Sequence, residues 1–282
     1  MAERGDTSAR LKTWPQYLLP QHGLTRLANA ASNSRWLARP LIASFRRLYP
    51  IRMDECEIPA PGFDRFDAFF TRHLKPGVRS FPEDRDAIVS PCDGTLSQIG
   101  WISSGDIIQA KGRKFSVEAL LGVPDWAEAF QDGRFATIYL APHDYHRVHM
   151  PITGALTGEA RIPGRLFSVS QATSRAVDRL YARNERMTAL FETAHGPIAV
   201  VMVAAMLVAG IETAWDRSGT RRPGKSVRQQ LFDPPVKLER GGELGCFHWG
   251  STVIVLTGRN APAWDERLGS EQRVCLGMAL TR

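Results

Sequence analysis

Ser251 sits between Gly250 and Thr252, directly before the run Val253-Ile254-Val255-Leu256. That pattern places a hydroxyl where a turn enters a buried strand, with glycine freedom just before it. Asp93 lies in Ser90-Pro91-Cys92-Asp93-Gly94, an acid in a tight turn. His143, His146 and His149 fall within seven residues, between Pro142 and Pro151. Serine, histidine and aspartate form the set that activates a hydroxyl: the imidazole takes the proton and the acid fixes its tautomer. Each also has a plainer reading, as a turn serine, a turn aspartate and a structural histidine. Three histidines so close together weigh against the last of these. Ser251 lacks the G-x-S-x-G elbow, and its strand follows the serine instead of preceding it. A serine hydrolase using Ser251, His149 and Asp93 is therefore the alternative, not the leading reading.

The elements that must position these groups can be read in part. Phe135 to Leu140 reads as a strand delivering the chain to the histidine block. Tyr145 and Val148, between prolines, favour extended chain there, which sends His146 and His149 to opposite faces unless the chain bends at Arg147. Phe63 to Phe70 reads as a short helix with Phe66, Phe69 and Phe70 inward, and Ser116 to Leu121 as a helix capped by Ser116. Gln109 to Lys114 reads as a basic loop, either solvated or touching a phosphate or headgroup. Arg217 to Arg228 reads as an exposed loop. Strands with turn signals dominate the body and helices the front, which predicts an α+β protein with a β-rich catalytic core and N-terminal amphipathic helices.

The front of the chain is distinctive. From Thr7 to Met53 there is no acidic residue, while Arg10, Lys12, Arg26, Arg35, Arg39, Arg46, Arg47 and Arg52 interleave with apolar residues. Trp36, Leu37, Leu41, Ile42, Phe45 and Leu48 share a helical face, with the regular part expected to begin at Pro40. Such a helix either lies on an anionic membrane or packs on its own domain. Ile58-Pro59-Ala60-Pro61-Gly62 reads as a boundary, dividing a basic helical segment, 1–57, from a catalytic domain, 58–282.

Composition narrows the class. With 282 residues and 43% hydrophobic content the chain can bury a sizeable core. A net charge of +7 favours an anionic partner. Nucleic acid is not expected, because no pattern of basic and aromatic residues marks a strand-binding groove. No signal peptide is visible, and the longest apolar run, Pro197 to Ile211, is shorter than the ~20 residues needed to span a bilayer. Cys56, Cys92, Cys246 and Cys275 include no C-x-x-C, and the histidine block has no further ligand at convincing spacing, so no metal is expected.

Together the Asp93 turn, the histidine block with its Met150-Pro151, and Gly242-Glu243-Leu244-Gly245 leading to Gly250-Ser251-Thr252 resemble bacterial phosphatidylserine decarboxylases, which are pyruvoyl-dependent. The likeness extends to Gln109-Ala110-Lys111-Gly112, Asn184-Glu185-Arg186 and Gly210 to Trp215, with a looser match at the front. Cys92, Trp249 and His143 stand where the resemblance leads one to expect alanine, leucine and arginine.

The resemblance implies self-cleavage between Gly250 and Ser251, with His149 as base and Asp93 as its orienting acid. Ser251 then becomes a covalent pyruvoyl group (a bound pyruvate) that forms a Schiff base with the amine of phosphatidylserine. Decarboxylation to phosphatidylethanolamine serves phospholipid biosynthesis. His146 is implied as proton donor or carboxylate-positioning group. Chains 1–250 and 251–282 are implied to stay together as a heterodimer, with a further homo-oligomer possible. An anionic phospholipid membrane is implied as partner, with the protein peripheral on the cytoplasmic side of the cell membrane. A milder variant keeps the pyruvoyl chemistry and changes the amine substrate.

Overall fold

The structure, a computed structural model, describes residues 13–110, 113–206, 210–216 and 224–282. Its strands are β1 (Gly94–Trp101), β2 (Asp106–Ala110), β3 (Arg113–Ser116), β4 (Arg134–Leu140), β5 (Arg147–His149), β6 (Gly154–Ile162), β7 (Arg186–Thr193), β8 (Gly196–Ala204), β9 (Ile211–Thr213), β10 (Arg228–Leu238), β11 (Glu243–Phe247), β12 (Ser251–Thr257) and β13 (Arg273–Val274). The apolar run after Ser251 cannot face water on either side, so it takes the middle of a sheet. β12 pairs antiparallel with β4 and β8, and every one of its residues is buried. The sheet runs β10-β6-β7-β8-β12-β4-β1-β13, all antiparallel. Pro234 and Pro235 cannot donate to a ladder; they fall in β10, an edge strand whose register shifts between Leu231 and Val236. The fold is α+β, as the sequence predicts.

A smaller sheet, β5-β11-β9, holds the histidine block against the chain leading to Ser251. Gly245 is required there: a Cβ would sit 2.2 Å from the Glu212 carbonyl oxygen. The C-terminal stretch returns to the Asp93 turn. Ser90 donates to the Met278 carbonyl, Gly277 to that of Ser90, and Leu280 to that of Ile88.

At the front are α1 (Pro15–Leu18), α2 (Gln21–Ser32) and α3 (Arg35–Leu48), followed by α4 (Phe66–Phe70). Helix α3 runs straight through Pro40 instead of starting there. Pro40 is near the N-terminus, so the bond lost is the one to the Trp36 carbonyl, and Trp36 is 93% exposed. Phe66, Phe69 and Phe70 point inward as predicted and bury Phe45 of α3 between them. Two buried or half-buried glutamines dock the front on the β-rich body. Gln16 accepts from the Ser168 amide and Gln21 from the Leu166 amide, each at 2.9 Å. The segment is thus packed on its own domain through one face.

Ser116 caps α5 (Val117–Leu121) by accepting from the Ala119 amide. The stretch read as a basic loop is instead a β2–β3 hairpin. Its Gln109 is buried, donating to the Ser174 and Val177 carbonyls and accepting from the Leu180 amide. Lys111 and Gly112 lie outside the described residues, as do Arg10, Lys12 and most of the predicted 217–228 loop.

Candidate active site

Backbone hydrogen bonds bring the three sequence-predicted stretches together. Val89 donates to the Pro151 carbonyl and His149 to that of Pro91, at 2.9 and 2.8 Å. Met150 donates to Gly242, Gly241 to Met150, and Phe247 to His146. Ser251, at the mouth of β12, lies opposite Leu140, whose strand runs on into the histidine block.

The His149 ring is half of a defined network. Nδ1 lies 2.8 Å from the Gly241 carbonyl oxygen, so Nδ1 carries the proton and donates. Nε2 is then the basic nitrogen, and it accepts from the Tyr145 hydroxyl at 3.1 Å. The two rings stack with centroids 5.7 Å apart. Burial lowers the His149 pKa, against the Gly241 carbonyl and the Glu243 charge, which raise it. The ring is neutral at pH 7 and can accept a proton. Gly241 adopts φ +79°, a left-handed conformation that L side chains rarely take, so the glycine here shapes the loop that offers its carbonyl.

Asp93 is buried close enough for its charge to act on His149. Its oxygens are engaged elsewhere, however. Arg79 donates through Nε at 3.1 Å and through a second nitrogen, the Leu276 amide donates at 2.8 Å, and Arg52 stands 3.9 Å away. The tautomer-fixing contact that the triad reading gives to Asp93 is made by the Gly241 carbonyl. Arg79 also bonds Glu55 at 2.9 Å, and these two acids outweigh its burial and raise its pKa.

His146 is fully buried, its Nδ1 donating to the Asp144 carbonyl at 2.8 Å. Its Nε2 has no hydrogen-bond partner among the described residues. The Phe70 ring packs 4.2 Å from its own, centroid to centroid. Burial takes its pKa down to about 4. Asp144 beside it is tied to Arg273 at 2.7 Å and to the Ala141 amide at 2.7 Å. His143 is partly exposed, 3.8 Å from Asp144.

Ser251 Oγ is buried and has no hydrogen-bond partner among the described residues, as holds for the hydroxyls of Thr252 and Thr257 on the same strand. A buried hydroxyl left unsatisfied is costly, on the order of 1–3 kcal/mol. What sets Ser251 apart from those threonines is its place directly after Gly250 at the mouth of the strand, with an oxygen committed to no other bond, which fits a pyruvoyl group arising here. Just ahead, Trp249 stacks on Phe66 and Phe70, with centroids 4.9 and 5.3 Å away, which fixes the approach to Gly250.

Sequence reasoning did not single out Arg79, Tyr145 or Gly241. Tyr145 lay inside the histidine block and was legible as a neighbour. Arg79, in Gly77-Val78-Arg79-Ser80, and the main-chain acceptor of Gly241 carry no signal of their own.

Comparison with known proteins matches residues 66–282 to the phosphatidylserine decarboxylase family model, and residues 11–50 to a second model described as PSD. The chain is 45% identical to the phosphatidylserine decarboxylase proenzyme of Stutzerimonas stutzeri (strain A1501), covering 96% of this chain and 94% of the relative. It is 47% identical to that of Pseudomonas putida (strain GB-1), covering 96% and 97%, and 48% identical to that of Acinetobacter baumannii (strain AYE), covering 93% and 92%. With a family match across the whole β-rich body and relatives this similar along nearly their full length, the chain belongs to the phosphatidylserine decarboxylase family.

Proposed function

We propose that the chain is the precursor of a phosphatidylserine decarboxylase, a carboxy-lyase that cuts itself between Gly250 and Ser251 and then converts phosphatidylserine to phosphatidylethanolamine and carbon dioxide. The observation that carries this reading is the placement of Ser251, buried at the first residue of a central strand and directly after Gly250, with a hydroxyl that no described residue engages. Family membership supplies the substrate.

Self-cleavage starts when Ser251 Oγ attacks the Gly250 carbonyl carbon and the amide nitrogen leaves as an amine, exchanging amide for ester. His149 Nε2 takes the hydroxyl proton, exchanging its bond to Tyr145 for one to Ser251. The Gly241 carbonyl holds the proton at Nδ1, and the Asp93 charge favours the imidazolium as it forms. Elimination then releases Gly250 as a carboxylate, and hydrolysis leaves a ketone at residue 251 with loss of ammonia. That pyruvoyl ketone supplies an electron sink for decarboxylation of an amino acid joined to it. His146, neutral and with Nδ1 committed to Asp144, is a relay: it must gain a proton at Nε2 before it can return one.

The chains 1–250 and 251–282 are suited to stay associated as a heterodimer. β12 keeps both of its neighbours, and the C-terminal residues remain bonded to the 88–93 segment. The front segment fits peripheral association with anionic phospholipid on the cytoplasmic side of the cell membrane. Trp14, Leu18, Leu27, Trp36 and Leu48 are exposed among arginines, and no helix among the described residues is long and apolar enough to cross a membrane.

Intact mass spectrometry of the wild-type protein beside Ser251→Ala tests the reading. Two fragments split after Gly250, the smaller with a pyruvoyl N-terminus, and an uncut variant are expected. A single unbroken chain in both folded samples would remove the cofactor and the mechanism with it.

A further inference from the structure

Outside the catalytic network, a second chemistry-bearing cluster lies just before the scissile bond. Glu212 and Cys246 are cross-strand partners on β9 and β11, and His248 follows Cys246 by two residues. Their ligand atoms lie within 4.8 Å of one another. His248 Nε2 is 3.4 Å from a Glu212 oxygen and 3.9 Å from Cys246 Sγ. On its other face, Nδ1 donates to Asp67 of α4 at 2.7 Å.

We propose that Glu212, Cys246 and His248 form a binding site for a divalent cation of borderline softness, zinc being the best fit. Tetrahedral zinc, with bonds of about 2.3 Å to sulfur and about 2.0–2.1 Å to nitrogen and oxygen, spaces its ligands by roughly 3.3 Å for nitrogen to oxygen and roughly 3.6 Å for nitrogen to sulfur. The two separations in the structure match these to within a few tenths of an ångström. Asp67 acts as the carboxylate that orients a metal-ligating histidine from behind, leaving Nε2 to point at the metal. Two carboxylates and a thiol around one imidazole also suit added positive charge. Cys246 is buried while Glu212 is partly exposed, so a cation enters from the Glu212 side. Three protein ligands leave the fourth position to water.

The site is placed to matter. It ties residues 246–248 to β9, two residues ahead of Gly250, whose carbonyl must turn toward the Ser251 hydroxyl. Bound zinc is expected to slow self-processing roughly tenfold; this consequence, unlike the site itself, rests on the function proposed above.

Cobalt(II) titration of the purified, uncut Ser251→Ala chain reads the site without any need for cleavage. One equivalent should bind with a sulfur-to-cobalt charge-transfer band and tetrahedral d–d bands, displaced by zinc. Cys246→Ser should abolish the charge-transfer band, and Glu212→Gln, which leaves the thiol and the fold in place, should weaken binding at least tenfold. Circular dichroism and thermal melting establish that each variant is folded. No cobalt spectrum in the folded chain, or a band that survives Cys246→Ser, overturns the site. In cell-free synthesis of the wild-type precursor, zinc should slow cleavage, but not in the Cys246→Ser chain; equal rates with and without zinc overturn the processing consequence alone. A precursor that never cleaves counts against the proposed function, not the site.

Discussion

His149 is oriented by the main chain of Gly241: its Nδ1 proton points at that carbonyl, 2.8 Å away. Replacing His149 with glutamine should therefore cost the base and leave the loop largely in place. Self-processing should fall by about 10²–10⁴-fold, the usual worth of a positioned general base. Time courses of intact mass after synthesis measure it.

Tyr145 holds the basic nitrogen of the same ring through its hydroxyl. In Tyr145→Phe the ring stack is retained and Nε2 is freed. The lost bond is worth about 0.5–1.5 kcal/mol net, so processing should change by no more than about tenfold, and most simply upward. A loss as large as that of the His149 variant would mean that Tyr145 itself carries the proton.

Arg79 and Asp93 form a buried pair that also involves Glu55. Removing Arg79 leaves Asp93 with the Leu276 amide and the more distant, half-exposed Arg52, so the loss should approach but not exceed about 3–5 kcal/mol, the cost of breaking a buried pair. Arg79→Met should lower the unfolding free energy by up to that much, read as a fall in the urea midpoint equal to the loss divided by the m-value, and it should impair processing even though Arg79 touches neither Ser251 nor His149 in the described contacts. Chemical denaturation and mass analysis of the same preparation separate the two effects.

His146 supplies a pH dependence whose sign follows from burial. Its folded pKa, about 4, lies below the ordinary value of 6.5. Between these values the unfolded chain binds the proton and the folded chain does not, so stability falls as pH drops from 6.5 toward 4. Above 6.5 this contribution is constant. Urea midpoints across that range should show the slope, and His146→Asn should reduce it, the remainder coming from His149 and His73, whose pKa values burial also lowers.

Membrane docking is best tested without truncation. Deleting the front would uncover Phe66, Phe69 and Phe70, which Phe45 covers, and would remove the Gln16 and Gln21 contacts. Trp36→Glu in α3 changes a side chain that touches water almost everywhere. It should reduce sedimentation with anionic vesicles at least tenfold and leave the melting temperature unchanged; undiminished pelleting would show that this face of α3 is not the docking face.

Much of the fold was legible where local physics decides it. The apolar run after Ser251 had to be interior, the three phenylalanines of α4 had to share a face, and Ser116 had to cap. Strand order was not legible, because it depends on which distant segments cover each face. The site divided the same way. Asp93, His149 and Ser251 announce themselves by residue type, whereas a backbone carbonyl such as that of Gly241 has no letter in the sequence. Gln109 shows the opposite error: amid lysine and arginine it read as a surface loop, yet it is a buried clamp between two hairpin strands and the 174–180 segment. Cys246 and His248 were invisible as a pair until β9 supplied Glu212.

If the chain is the self-cleaving precursor proposed above, the central placement of β12 gives it a role beyond holding a latent reactive group. While the chain is continuous, β12 finds its place between β4 and β8 as part of one molecule, at the modest entropic cost of closing a loop. After the proposed cut the same strand would belong to a separate molecule of 32 residues. Unfolding then becomes dissociation, and recovery becomes a second-order encounter that dilution defeats. On the proposed function, the cut protein would persist by the height of its unfolding barrier, having spent its one opportunity for unimolecular assembly before its cofactor formed.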